Sequence, residues 1–420
     1  MRRVALWMAA LVASCPAAGQ GPSQTPSGGA LPSGARWSAD VPANWNGTLL
    51  LWSRGYSQKP GGPESAPSSV RAQLLAAGYA LAGSDYGSGG WALAEAVPAQ
   101  RATVAAFVAR YGKPRRIIAW GNSMGGLVTT ALSEQRPAAV DGGLAMCASI
   151  GGAVGMMNMA LDGATAFRTL VAPNSGIRVV DIDDDRTNGA RVAEALAAAR
   201  TTAAGRARVA LAGVLAGIPG WTRRDTAEPD ANDVRAQADA IADSFVTGVF
   251  LPRADQEARA GGGFSWTTGV DYAAQLRLSG RRPFVAALYR EAGLNLDADL
   301  ARLNAAPRIV AKPGAVRYMM QNYTPDARPS VPLLAVQAIG DGQTSPSLQR
   351  GYVEAARGDV RSLWVRQAGH CAFTPDTVLA SIRHIEARLV RGRWPVRPDG
   401  FVTYTPPPML RPCVRGGLCR

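Results

Sequence analysis

The feature that most constrains the fold is an alternation of short apolar segments with amphipathic helices. Two continuous apolar runs, over residues 48–52 (TLLLW) and 116–120 (RIIAW), are typical of strands that are buried on both faces. Between them, the segment 99–111 places apolar residues at every third or fourth position, which predicts a helix. Strands that alternate with such helices form a parallel sheet covered on both sides, so the predicted class is α/β.

The alternation stops near residue 151 and resumes near residue 329, just before the apolar run VPLLAVQA. The intervening segment is rich in alanine and helical in pattern. One sheet interrupted by a helical insertion explains the 420 residues better than two sequential domains. The predicted organisation is a signal peptide (1–20), a flexible linker (21–36), an α/β core in two parts (37–150 and 329–395), a helical cap or lid (151–328) and a C-terminal tail (396–420).

The N-terminus predicts export. Arg2 and Arg3 precede an uncharged apolar run and then small residues, which is the three-part pattern of a secretory signal. Two processing routes remain open. One is simple cleavage near Ala18; in the other, the stretch VASC is similar to a bacterial lipobox and would make Cys15 the lipidated first residue. The mature protein is expected in the periplasm or outside the cell, with membrane contact only through such a lipid anchor.

The cysteines fit an oxidising compartment. With Cys15 set aside, four remain, an even number. Cys413 and Cys419 lie close together in a tail rich in proline and glycine and predict a small disulfide loop, which leaves Cys147 and Cys371 to pair across the fold. The sequence has no C-x-x-C pair and no histidine cluster, so it predicts no metal site.

The formal net charge of +14 does not predict a nucleic-acid partner. Nearly all of the positive residues are arginines, a bias expected from a GC-rich coding sequence. They are scattered along the chain and form no basic stripe with interleaved aromatic residues.

The segment GNSMG over residues 121–125 carries the strongest indication of chemistry. It matches G-x-S-x-G and lies directly between a predicted strand and a predicted helix. There the glycines allow a sharp turn that exposes Ser123 at the C-terminal edge of the sheet, and the Met124 N–H faces a developing oxyanion. The pattern predicts Ser123 as a nucleophile; an ordinary capping serine is the alternative.

A serine nucleophile needs a base, and the chain offers only two histidines. His384 falls on the polar side of the predicted last helix and is interpreted as solvated. His370 follows the strand that ends at Val365, at the edge where α/β sites gather, and is the predicted general base. Asp341 ends the preceding apolar run and would orient the imidazole. Asp85 is the competing acid, but the chain order Ser, Asp, His favours Asp341.

The elbow GNSMGG, the turn GDGQTSP and the loop AGHCAF resemble the α/β-hydrolase superfamily of serine esterases and lipases. The resemblance covers residues 45–150 and 329–392. It implies an α/β-hydrolase fold with a helical lid after the strand that follows the elbow. The activity that it implies is cleavage of a small-molecule carboxylic ester through an acyl-enzyme, and this reaction needs no cofactor. It also implies a second oxyanion donor, the N–H of Tyr56, although many members have His-Gly where this chain has Arg54 and Gly55.

A narrower likeness concerns the tannase and feruloyl-esterase group, which joins a cysteine beside the nucleophile to a cysteine beside the histidine. Cys371 follows His370, but Asn122 precedes Ser123, so Cys147 would have to supply the other sulfur. Two further functions stay open. One is an exopeptidase or amidase of the same fold, and the other, from a different class, is a non-catalytic binding protein on this scaffold.

The sequence says least about the substrate pocket. Met156, Met157 and Met159 are interpreted as core residues, and the alternative is a soft apolar acyl pocket that they share with tryptophans. The candidate tryptophans are Trp91, Trp221 and Trp266.

Overall fold

The computed structural model describes residues 27–250, 252–417 and 419. The predicted signal peptide, with the lipidation candidate Cys15, lies outside these residues. Within the described part of the chain, no helix combines the length and the apolar character that a membrane span needs.

One mixed sheet lies at the centre of the described chain. Its eight strands are β1 (Ser27–Ala30), β2 (Arg36–Asp40), β3 (Thr48–Ser53), β4 (Ala80–Ser84), β5 (Arg116–Asn122), β6 (Gly142–Met146), β7 (Leu333–Gly340) and β8 (Val360–Ala368). They follow the spatial order β1-β2-β4-β3-β5-β6-β7-β8. The six strands from β4 to β8 in this order are parallel. At one edge, β2 pairs antiparallel with β4, and β1 pairs antiparallel with β2.

Helices of the described chain cover both faces of the sheet, and a further group lies between β6 and β7. In chain order they are α1 (Ser68–Ala76), α2 (Leu93–Tyr111), α3 (Met124–Ser133), α4 (Ala153–Leu170), α5 (Asp185–Arg200), α6 (Ala203–Leu215), α7 (Val234–Asp243), α8 (Phe245–Val249), α9 (Ala254–Ala260), α10 (Tyr272–Leu278), α11 (Arg282–Glu291), α12 (Leu296–Ala305), α13 (Pro313–Tyr323), α14 (Pro346–Ala355) and α15 (Pro375–Arg391).

The sheet is buried on both sides, as its continuous apolar runs predict. Successive side chains of β3 point to opposite faces, so Leu49 packs with α2 and α3, whereas Leu50 packs with α1 and α15. Both leucines are completely buried. This arrangement confirms the predicted class, a mostly parallel sheet covered by helices.

The helices α4–α13 form an insertion between β6 and β7, and most of them share a hydrophobic core of their own. Phe167, Leu211 and Phe245 at its centre are completely buried. Several of these helices begin at a polar residue whose side chain accepts hydrogen bonds from first-turn N–H groups, for example Asp184 before α5 and Asp233 before α7. The segment is helical, as its alanine-rich pattern predicts.

The predicted linker (21–36) overlaps the folded part, because β1 lies within it. β1 pairs with β2, and a Cβ on Gly28 would overlap the carbonyl oxygen of Trp37. Leu31 and Ala35, which join the two strands, are buried. The small residues that predicted flexibility therefore allow two strands to approach closely instead.

The C-terminal tail is attached to the insertion by a buried ion pair. Two nitrogen–oxygen distances of 2.8 and 3.0 Å join the guanidinium of Arg411 to the carboxylate of Asp162, and both side chains are about 1% exposed. Burial raises the pKa of Asp162 to about 6, and the positive charge of Arg411 opposes that rise. Beyond this anchor, Cys413 is disulfide-bonded to Cys419, the pairing that the sequence predicts.

His384 is buried, which corrects the prediction of a solvated side chain. It is only 3% exposed, and its ring stacks on that of Trp394 with 5.7 Å between the centroids. Burial lowers the pKa of His384 to about 4, and the positive charge of Arg361 acts in the same direction. The helical pattern of α15 could not reveal this, since Trp394 covers the histidine from beyond the end of the helix.

We expect acid to destabilise the protein through His384. An unfolded histidine has a pKa of about 6.5, so above that pH neither state binds the proton. As the pH falls from about 6.5 toward 4, the unfolded state takes up a proton that the folded state does not, and the free energy of unfolding falls by about 2 to 3 kcal/mol. His384→Phe keeps a ring against Trp394 and cannot titrate. Urea unfolding measures the free energy of unfolding of both proteins. Between about pH 7 and pH 4, this free energy should rise by that amount in the variant relative to wild type. A difference between the two proteins that does not change with pH would refute the assignment.

Candidate active site

The predicted nucleophile lies at a sharp turn between β5 and α3. Ser123 has φ 57° and ψ −122°, a backbone conformation that residues other than glycine rarely adopt. The flanking glycines make the turn possible, because a Cβ on Gly125 would overlap the Ser53 carbonyl oxygen and one on Gly121 would lie 2.6 Å from the same atom. The hydroxyl of Ser123 is thereby displayed at the C-terminal edge of the sheet.

Ser123, His370 and Asp341 are joined by hydrogen bonds at this edge. His370 follows the end of β8 and Asp341 follows the end of β7, so both residues reach the edge where β5 ends. The distance from His370 Nε2 to Ser123 Oγ is 3.0 Å, and that from His370 Nδ1 to Asp341 Oδ2 is 2.9 Å. Because an ionised carboxylate only accepts, Nδ1 carries the hydrogen and Nε2 faces the serine hydroxyl as an acceptor.

The carboxylate of Asp341 is completely buried and held from several sides. Its Oδ1 accepts hydrogen bonds from the backbone N–H groups of Gln343 and Thr344, at 2.9 and 3.0 Å. Its Oδ2 lies 2.9 Å from the hydroxyl of Thr344, which is equally close to the carbonyl oxygen of Cys147. These contacts fix the orientation of the carboxylate, whose Oδ1 and Oδ2 lie 3.1 and 2.9 Å from His370 Nδ1, and they compensate the buried negative charge.

A disulfide ties the histidine loop to the sheet. Cys371 is bonded to Cys147, directly after β6, as the cysteine count predicts, with 5.3 Å between their Cα atoms. The Cys147 N–H donates to the carbonyl of Val336 in β7, so the anchor is itself part of the sheet edge. The sulfur of Cys371 lies 3.3 Å from His370 Nε2. The bond therefore limits how far the imidazole can move from Ser123.

The two predicted oxyanion donors belong to segments that meet at Ser123. Met124 is the first residue of α3, so its N–H has no carbonyl one turn earlier to which it can bond. The loop that holds Tyr56 passes close to the elbow, since a Cβ on Gly55 would be 3.5 Å from that of Ser123. Arg54 stabilises this loop from within: it is buried and donates to the carbonyl of Ser88 at 2.6 Å.

A cavity of about 520 Å³ opens over Ser123, between the sheet edge and the insertion. Its lining residues are Gly55, Tyr56, Trp91, Asn122, Ser123, Ser149, Met156, Val246, Thr247, Phe250, Pro252, Gln343, Thr344, His370 and Cys371. None of these carries an acidic or a lysine or arginine side chain. Burial raises the pKa of the Tyr56 phenol, and the negative charges of Asp255 and Asp185 add to the effect, so this hydroxyl stays protonated near neutral pH.

The cavity includes part of the predicted pocket and excludes the rest. Trp91 and Met156 line it, whereas Trp221 and Trp266 do not. Met157 and Met159 are buried, which agrees with their interpretation from the sequence as core residues.

Comparison with known proteins agrees with this architecture. The chain is 30% identical over 410 residues to the o-phthalyl amidase of Xanthobacter agilis, an alignment that covers 88% of this chain and 89% of the amidase. The chain belongs to the family of this amidase. It is a hydrolase with the α/β-hydrolase fold, which confirms the predicted superfamily.

Other comparisons do not narrow the family further. No family model matches the chain. Among solved structures, the chain is similar to a proline iminopeptidase of Mycobacterium smegmatis, with 15% identity, a TM-score of 0.41 and coverage of 87% of this chain and 100% of that one. It is also similar to feruloyl esterase B of Aspergillus oryzae, with 13% identity, a TM-score of 0.43 and coverage of 88% and 81%.

The competing acid lies outside the site of this hydrolase. Asp85 accepts hydrogen bonds from the backbone N–H groups of Arg36 and Gly87, both at 2.9 Å, and so stabilises the turn after β4.

Sequence reasoning missed two contributors to the site. One is Thr344, whose position three residues after Asp341 is typical of a turn in which a hydroxyl and an N–H bond back to a carboxylate. The other is the wall supplied by the insertion, with Val246 and Phe250, for which no local pattern exists.

Proposed function

We propose that this chain is a serine hydrolase that cleaves carboxylic esters or amides through an acyl-enzyme. The observation that carries the proposal is the hydrogen-bonded series from Ser123 through His370 to Asp341, at the floor of a cavity large enough for a small organic substrate.

The proposed reaction has two halves. Ser123 Oγ attacks the substrate carbonyl while His370 Nε2 takes its proton, and Asp341 stabilises the imidazolium. The N–H groups of Met124 and Tyr56 donate to the tetrahedral oxyanion. His370 then protonates the leaving alcohol or amine, and a water molecule, activated by the same imidazole, releases the acid from Ser123.

The lining of the cavity disfavours an exopeptidase. An exopeptidase would need a carboxylate to hold the substrate ammonium, and the described lining residues include none. An ester is the first candidate substrate, since the triad suffices for it. An amide is the second, because a relative at 30% identity is named for its amidase activity on o-phthalyl compounds.

A matched pair of substrates tests the proposal. We expect purified mature protein to release p-nitrophenol from p-nitrophenyl benzoate and, more slowly, p-nitroaniline from N-benzoyl-p-nitroaniline, since an amide is the poorer acyl donor. Amide turnover that rises when the acyl group is o-phthalyl would support the second candidate. A fluorophosphonate probe should label Ser123. Absence of both labelling and turnover would favour the non-catalytic binding protein instead.

The proposal extends to export and to the insertion. Export is supported by the N-terminal pattern and by two disulfides, which persist in oxidising compartments. Mass spectrometry of the mature protein would separate cleavage near Ala18 from lipidation at Cys15, and an unprocessed Met1 would contradict export.

The insertion is proposed as a lid because residues such as Val246 and Phe250 face the core across the cavity.

A further inference from the structure

Trp91 is held almost entirely by the insertion, although it belongs to the core. It lies between β4 and α2, lines the cavity over Ser123 and is 4% exposed. Its backbone N–H donates to Asp255 Oδ2 at 2.7 Å, and its indole N–H donates to the carbonyl of Pro252 at 3.0 Å. Its carbonyl accepts from the hydroxyl of Tyr323 at 2.5 Å. All three polar groups of this residue are thus satisfied by the insertion.

Asp255 is the central member of these contacts. Its carboxylate also receives the Nε–H of Arg259, one turn later in α9, at 3.0 Å from each oxygen. Arg259 in turn donates to Ser88 Oγ and the Gly89 carbonyl, at 2.9 and 2.8 Å. The approach is so close that a Cβ on Gly90 would overlap the Asp255 carboxylate. Asp255 and Arg259 therefore bind the segment that directly precedes Trp91 in the chain.

The core gives Trp91 an aromatic contact and one hydrogen bond, from the Leu93 N–H to the Trp91 carbonyl at 3.0 Å; neither one holds the indole N–H or the backbone N–H. The rings of Tyr56 and Trp91 lie 5.5 Å apart at an angle of 45°. Such contacts are weak and allow sliding, whereas a hydrogen bond to a carboxylate fixes a position. The placement of the indole in the cavity is therefore set by the insertion.

We propose that the insertion selects the acyl group of the substrate by holding Trp91 as a fixed wall of the cavity, with Asp255 as the positioning residue. This inference rests on the proposed function. A flat wall fixed beside the nucleophile stabilises planar acyl groups by stacking and gives little to an acetyl group. Trp91 is thus a specificity-determining residue, and the insertion contributes to selectivity as well as to covering the site.

The test compares kcat/KM for p-nitrophenyl benzoate and p-nitrophenyl acetate. Trp91→Leu should lower the benzoate-to-acetate ratio about tenfold, by removal of the stacking wall. Asp255→Ala should lower it in the same direction, mainly through KM. Asp255→Asn keeps an oxygen that can accept from the Trp91 N–H but loses the ion pair with Arg259, so it should restore most of the ratio.

Glu354→Ala is the matched control, because it breaks an arginine–carboxylate pair of the same spacing, with Arg350 on α14, outside the cavity lining. It should leave the ratio unchanged. Melting temperature and fluorophosphonate labelling of each variant show that the fold and the nucleophile are intact.

Two results would overturn the inference. In the first, Trp91→Leu leaves the benzoate-to-acetate ratio of kcat/KM unchanged. In the second, Trp91→Leu lowers this ratio but Asp255→Ala leaves it at the wild-type value. Failure of the proposed function would look different, since wild type itself would then neither hydrolyse acetate nor be labelled at Ser123.

Discussion

Replacement of Ser123 by alanine is expected to abolish hydrolysis, with kcat reduced by a factor on the order of 10⁵ or more. The change removes the oxygen that lies 3.0 Å from His370 Nε2, which is the atom proposed to form the acyl-enzyme. The fold should be retained, since alanine meets the same backbone demand as serine at φ 57° and the removed hydroxyl has its partner in the site rather than in the core.

The measurement is steady-state hydrolysis of p-nitrophenyl benzoate together with labelling by a fluorophosphonate probe. Ser133→Ala is a suitable control, because it removes a serine hydroxyl at the far end of α3, the helix that follows Ser123, and this hydroxyl donates to the Thr129 carbonyl within the core. Labelling should disappear in Ser123→Ala and persist in Ser133→Ala. Turnover that survives the loss of Ser123 would show that another group is the nucleophile.

The elbow and its two partners could be located from the sequence because each follows an apolar strand directly. Parallel strands bring their C-terminal ends to one edge, so residues that follow β5, β7 and β8 must meet there, even when more than two hundred positions separate Ser123 from His370. The sequence pattern that marks each residue is local to its strand end, and the parallel arrangement of the strands brings the three strand ends together.

The walls of the cavity could not be located in this way. The contact of Trp91 with Asp255 joins a core loop to a short helix of the insertion, 164 positions later. No periodicity in either segment records which face of an inserted helical unit meets the core, because that orientation depends on packing across the whole unit. Trp221 and Trp266 are as prominent in the sequence as Trp91, yet only Trp91 lines the cavity.

The errors at β1 and His384 share a physical cause. In both, a local pattern was interpreted without the distant segment that covers it: Trp37 for the glycines of β1, and Trp394 for the histidine on the outer side of α15. A residue is solvated only if nothing later in the chain packs on it, and a single sequence does not record this.

Replacement of Asp341 by asparagine is expected to lower kcat by a factor on the order of 10³ to 10⁴, with little change in the fold. The backbone N–H groups of Gln343 and Thr344 donate to Oδ1, so the amide oxygen of asparagine must occupy that position. The amide NH₂ then replaces Oδ2, the carboxylate oxygen that lies nearer to His370 Nδ1. Because it can only donate, it selects the tautomer with hydrogen on Nε2, and that nitrogen can no longer take the proton of Ser123.

Thr344→Val distinguishes this effect from a general loosening of the acid turn. The valine removes the hydroxyl 2.9 Å from Asp341 Oδ2 but leaves the carboxylate, both backbone donors and the acceptor for His370 Nδ1 in place. One hydrogen bond near a charge is worth about 1.5 to 3 kcal/mol, so kcat should fall by about ten- to a hundredfold, well short of the asparagine variant. Equal losses in the two variants would mean that the geometry of the turn, and not the tautomer of His370, limits the reaction. A full pH profile adds a second criterion: since a donor beside Nδ1 opposes the imidazolium, the activity left in Asp341→Asn should rise toward alkaline pH, where hydroxide replaces the missing base.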